Sequence, residues 1–196
     1  PLGVLAALKP SSWLDTASRL LALLGAAVPS YVMALLLMLL FAVKLGWFPA
    51  IGYGSPKNLI LPAVALSFGV MAQLMRLTRA TMLEALNQDY IRTARAKGLG
   101  ERVVTWRHAL RNALLPVITV MGTSAGHLLG GAVIVEIIFG WPGIGQFVII
   151  GISQRDYPVV QGFVLYLAVI FLLVNLAIDV LYRWLDPRLN FNHKTA

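Results

Sequence analysis

Residues 20–43 read LLALLGAAVPSYVMALLLMLLFAV, twenty-four positions without one charged side chain. About twenty helical residues cross a hydrocarbon core roughly 30 Å thick, so this block is long enough to span a bilayer. Pro29 sits near its beginning and predicts a kink, a fault that neighbouring helices compensate in a bundle. Three further blocks qualify. Residues 59–75 carry Pro62, Gly69 and Gln73 and end at Arg76 and Arg79; residues 114–135 hold Pro116 and a series of small residues that permit close helix contact; residues 159–178 run to Asp179 and Arg183. Lipid offers backbone groups no hydrogen-bond partners, so helices are the expected element. The fold expected is an all-α polytopic membrane bundle with four full spans, one domain over residues 1–196.

Composition agrees. The 196 residues are 59% hydrophobic and 12% charged, with a mean hydropathy of +0.79, too little polar surface to clothe a water-soluble domain. Cysteine is absent, which removes disulfides, thiolate metal sites and thiol nucleophiles. The net charge of +8 is not a nucleic-acid footprint, because its bases lie between and beside apolar spans, where they set orientation. The sequence opens on Pro1, and residues 2–8 read as the end of an apolar helix reaching Lys9, which predicts further chain upstream. The charged start and cleavage site of a secretory signal do not occur there.

Eight Lys and Arg against three acids lie between the second and third blocks, and the positive-inside tendency puts that loop in the cytoplasm. The other two connections carry little charge and face outward. Four spans return the C-terminal end to the cytoplasm, where Arg183, Arg188 and Lys194 agree. Trp47, Trp141, Tyr53 and Tyr157 fall beside the outer boundaries, at headgroup level.

The basic loop, residues 82–112, is far longer than a minimal connection and must hold structure of its own. Residues 89–97 are good helix formers stopped by Gly98, and a second helix restarts near Glu101 toward the third span. The short helix is expected to present Tyr90, Ile91, Ala94 and Leu99 beside Arg92, Arg95 and Lys97. Apolar anchors among bases suit a groove on another protein, or an anionic lipid surface.

Two stretches of this loop, QDYIRTARAKGL over residues 88–99 and HALRNALLP over 108–116, resemble the coupling loop of ABC importer permeases in the dipeptide, oligopeptide and nickel uptake branch. Arg92-Thr93-Ala94 takes the place of the general Glu-Ala-Ala opening, Gly98 that of its glycine, and Arg111 stands where many importers have the first of two prolines. The resemblance covers nearly the whole chain, from Pro1 to Arg188. It implies the type I importer membrane fold in a full-length subunit of six spans, two of them upstream of Pro1. It also implies a second permease subunit, two ATPase subunits that hold ATP and magnesium, and an extracytoplasmic solute-binding protein, all at a bacterial inner membrane. This chain itself would bind no cofactor and catalyse no reaction. Asp89, Tyr90, Arg92, Thr93, Ala94, Arg95, Ala96, Lys97 and Gly98 are the implied ATPase contact. The outer stretch EIIFGWPGIG, residues 136–145, resembles the same family and supplies an expected outer gate at Glu136, Trp141, Pro142, Gly143 and Gly145. Such irregular backbone is tolerated at membrane depth only where it is buried or lines a cavity.

Other readings have less support. A phosphate-binding Gly-rich Lys-Ser/Thr loop is missing, so ATP must be handled by another chain. An ion-coupled carrier would need paired acids at mid-membrane. A hydrolase could draw only on Ser124 and His127, one helical turn apart, without a supporting acid. His127 has no second His or Cys at ligand spacing, which reads against a metal site.

Overall fold

The computed structural model describes residues 1–185, with the side chains at 127, 129–131 and 182–185 left aside. Arg188 and Lys194, and the side chains of His127 and Arg183, therefore lie outside the described residues. Helices α1 (Leu2–Leu8), α2 (Trp13–Ala27) and α3 (Ser30–Leu37) come first, α3 continuing as a π-helical stretch over Met38–Lys44. The 31-residue α4 (Pro56–Leu86) leads to α5 (Asp89–Ala96). A single turn, α6 (Glu101–Val103), widens into π-helix over Val104–Ala109 and runs into the 30-residue α7 (Leu110–Phe139). Last come α8 (Ile144–Ser153) and α9 (Tyr157–Leu185). No strand occurs among the described residues.

Four full spans were expected, and the structure breaks the first of them while the other three blocks each lie within one continuous helix. Pro56–Leu86 and Tyr157–Leu181 are each long and apolar enough to cross a membrane alone. Two further pairs pass that test only together: Trp13–Ala27 with Ser30–Lys44, bent by 107°, and Ala132–Phe139 with Ile144–Ser153, bent by 90°. By length and composition the described residues hold two such helices, or up to four spans if each bent pair is one, and the third expected block, 114–135, lies within the single 30-residue helix α7. Block 20–43 is thus two helices. Val28 is extended, as a residue before proline prefers, and Pro29 starts α3 without needing the N–H it lacks.

The helix that carries the second block runs on past Arg76 and Arg79. Helix α4 continues through both to Leu86, about 46 Å of helix at 1.5 Å per residue. Arg79 is neutralised there by Asp15 of α2.

Helix α4 packs along α7, α2 and α1, and α7 also meets α8 and α9. Small residues bring these helices close: a Cβ on Gly25 would collide with Ala72, one on Gly3 with the α4 backbone at Met75, and one on Gly122 with Ile178. Two apolar clusters sit at opposite ends of the α4–α7 pair. Ala34, Leu61, Ala65, Val135 and Phe139 form one; Val4, Ala7, Met82, Ala85, Ile91, Ala94, Val104, Ala109 and Ala113 form the other.

Candidate functional site

Helix α5 is built between the ends of the two longest neighbours. Asn87 closes α4 with its amide nitrogen donating to Leu83 O at 3.0 Å, and Gln88 turns extended before Asp89 begins the next helix. Asp89 lies in the first turn and Arg95 in the last, each placed well for the helix dipole. Ile91 is fully buried and Ala94 nearly so, both inside the cluster shared with α1, α4 and the start of α7. Here the sequence reading is corrected: these two side chains are not presented outward but hold α5 onto the bundle. An eight-residue helix is not stable alone in water, so this burial is what keeps it folded. The face left open carries Asp89, Tyr90, Arg92, Thr93, Arg95, Ala96 and Lys97.

Gly98 ends the helix as expected, and the geometry explains why it must be glycine. Its φ is +76°, the left-handed region. Its N–H donates to Arg95 O at 2.9 Å and that of Leu99 to Ala94 O at 3.3 Å, the paired bonds of a Schellman cap. Arg95 then reaches across the turn to Glu101, Nε to Oε1 at 2.7 Å and Nη2 to Oε2 at 3.2 Å. The guanidinium holds the Glu101 carboxyl below its usual range, and the carboxylate raises Arg95 in return. Arg92 and Asp89 pair at 3.5 Å, but both are so exposed that the contact contributes little.

At the other end of α7 the same device recurs. Gly140 has φ +58°, its N–H donates to Ile137 O at 3.2 Å and that of Trp141 to Glu136 O at 2.8 Å. The Glu136 side chain then accepts from the N–H of Gln146 at 3.0 Å, inside the first turn of α8, where the helix dipole favours an anion. A Cβ on Gly143 or Gly145 would strike that carboxylate. Glu136, Gly143 and Gly145 are therefore one unit, a carboxylate wrapped by a glycine turn. Pro142 is exposed and Trp141 half-buried. Gly52 N–H bonds Phe139 O at 3.0 Å, so the connection after α3 backs this turn. Helix α8 has no counterpart in the sequence reading, which treated residues 136–158 as a connection.

The sequence reading also missed Asp15. It is 1% exposed, grips Arg79 through both guanidinium nitrogens it faces, with Nη2 to Oδ2 at 2.9 Å, and accepts from Ser11 N–H at 3.0 Å. Its own N–H donates to Ser12 Oγ at 3.3 Å, so α2 starts in a variant of the capping box. Ser12 followed three residues later by an acid was the available signal; the partner, 64 positions away, was not. Ser124 is buried. No cluster of three His, Asp or Glu side chains suited to a metal occurs among the described residues.

The profile of one protein family, described as binding-protein-dependent transport system inner membrane component, matches residues 1–191. The chain belongs to that family. Its all-helical fold is accordingly that of the type I ABC importer membrane domain. It is 47% identical to the dipeptide transport system permease protein DppB of Bacillus subtilis over 193 residues, 98% of this chain and 63% of that protein. Identity is 43% to the dipeptide transport system permease protein DppB of Alkalihalophilus pseudofirmus, covering 96% of this chain and 65% of the relative. It is 42% to the glutathione transport system permease protein GsiC of Escherichia coli K12, covering 96% and 62%. The chain thus spans a little under two thirds of the length of the curated relatives it matches.

Proposed function

We propose that this chain is the membrane domain of a permease subunit in an ATP-driven importer of peptides, forming half of the translocation pathway and coupling it to a separate ATPase. The observation that carries the reading is α5: a short helix anchored by Ile91 and Ala94 and stopped by Gly98, with a basic face left open. Two permease subunits, two ATPases that hold ATP and magnesium, and an extracytoplasmic binding protein make up the assembly. Residues 82–112 and both ends of the chain face the cytoplasm, as their charge favours. The open face of α5, from Asp89 to Gly98, docks in a cleft of the ATPase and converts its closure on nucleotide into movement of α4 and α7. Ala94 serves that contact from within, as an anchor rather than a surface. Dipeptide and glutathione carriers among the relatives favour peptide over nickel as solute. The turn at Glu136, Trp141, Pro142, Gly143 and Gly145 acts as the outer gate, its rigidity coming from the wrapped carboxylate.

The test is reconstitution of the full-length subunit in proteoliposomes with its partner permease, ATPases and binding protein. Uptake of labelled dipeptide should require ATP, and the binding protein should stimulate hydrolysis. Arg92→Glu with Lys97→Glu should abolish both effects while the complex still inserts. Uptake indifferent to ATP would move the reading to an ion-coupled carrier.

A further inference from the structure

Between the two apolar clusters, the middle of the α4–α7 pair borders two recesses of opposite character. One, of about 580 Å³, is lined by Phe68, Met71, Met75, Leu114, Val117 and Met121 among other apolar residues. Its one side-chain hydroxyl, on Thr78, already donates to Leu74 O at 2.7 Å. Apart from the indole N–H of Trp106 its wall offers a peptide no free polar side chain, and hydrocarbon is what it suits. The second, of about 390 Å³, lies where α2 and α3 meet α4 and α7, and Ser30, Gln73, Arg76 and Ser124 open onto it. Its wall is fixed by the tight crossing of Gly25 on α4, with Gly69 beside it.

Gly69, Gln73 and Arg76 lie along one face of α4, spaced four and three residues apart. Arg76 is twenty residues from Pro56, about 30 Å along the helix and so about one hydrocarbon thickness, with Gln73 a turn nearer the helix middle. A cation there is costly unless it has a task. One turn on, Arg79 is fully engaged by Asp15; Arg76 makes no ion pair or side-chain hydrogen bond among the described residues, and no acid lines its cavity. A free guanidinium beside an amide and two hydroxyls is a receptor for a carboxylate that carries its own amide groups.

We propose that this cavity carries the transported peptide and that Arg76 receives a peptide carboxylate at the inner end of the path, with Gln73 bonding the adjoining amide. The proposal rests on the peptide-importer reading above.

Adjacent positions supply the test, because Val70 lines the polar cavity and Met71 the apolar recess. A photoreactive benzoylphenylalanine replaces either residue in the full-length subunit of the reconstituted importer, and adducts with labelled dipeptide are counted during ATP-driven uptake. Adducts should form at position 70 and be at least tenfold rarer at 71. In parallel, Arg76→Gln should lower peptide delivered per ATP about tenfold while binding-protein-stimulated hydrolysis persists, and Arg76→Lys should recover most of the loss. ATP-driven uptake with equal adducts at both positions, or with Arg76→Gln transporting as the unsubstituted complex does, overturns the proposal. If the unsubstituted complex shows no ATP-driven uptake, it is the importer reading that fails.

Discussion

Replacing Gly98 isolates the contribution of one backbone conformation, because nothing lies within 4 Å of where its Cβ would be. A side chain there meets no neighbour, and its whole cost comes from φ +76°. For an ordinary residue that cost is roughly 1–2 kcal/mol, with a β-branched residue at the top of the range or above it and asparagine near the bottom. About 2 kcal/mol shifts the capped conformation against uncapped ones roughly thirtyfold, since 1.4 kcal/mol is tenfold. Helix α5 itself should survive, because burying Ile91 is worth roughly 1.5–3 kcal/mol and does not depend on the cap. What is lost is the fixed exit toward Glu101, and with it the angle between the open face of α5 and the start of α7. In proteoliposomes the expected order of peptide uptake is Gly98, then Asn, then Ala, then Val close to zero, with the amount of inserted subunit constant across the series. Binding-protein-stimulated ATP hydrolysis should fall in the same order. Normal uptake by Gly98→Val, or equal loss for Asn and Val, would refute the argument that the left-handed cap sets the docking geometry.

Three other outcomes follow from contacts described above. Asp15→Asn leaves Arg79 without its counter-ion and should lower the thermal midpoint of the purified subunit in detergent, while Asp15→Leu with Arg79→Leu should restore much of it; a single substitution that melts like the parent sinks the idea. Gly143→Ala should push the Glu136 carboxylate away from Gln146 and loosen α8, read as faster labelling of a cysteine placed at Gln154; unchanged labelling would mean the turn tolerates the methyl group. The Arg95–Glu101 clamp depresses the Glu101 carboxyl, so its contribution is complete above about pH 4.5 and disappears as pH falls through the lowered value. Protection of the amides at 98–100, corrected for intrinsic exchange, should therefore be flat from pH 8 to about 4.5 and drop below it, and Glu101→Gln should remove the step; a step that survives that substitution belongs to another group.

What could be read in the sequence was whatever short-range physics determines. Gly98 after good helix formers, the restart at Glu101 and the apolar residues of α4, α7 and α9 all declare themselves within a few positions. Pro29 declared a break but not its 107°, because that angle is set by what α2 lies against: Gly25 on Ala72 and Asp15 on Arg79, contacts between segments far apart in the chain. The pairing of Arg79 with Asp15 was hidden for the same reason, since the partner lies 64 positions away. Ile91 and Ala94 were read as surface because an eight-residue helix has both an anchoring and an open face, and periodicity alone does not say which is which. Helix α8 hid because its ten residues are too few to signal a span and follow a dense glycine turn.

The placement of the two apolar clusters at the ends of α4 and α7 has a mechanical consequence. Rods clamped at both ends and bordering a polar hollow at mid-length are stiffer against sliding than against bowing. A push delivered at α5 therefore need not travel as a shift of the outer turn at all. On the coupling reading proposed above, it can change the width of the hollow first while the outer clamp holds, which is the action of a pinch valve rather than of a piston.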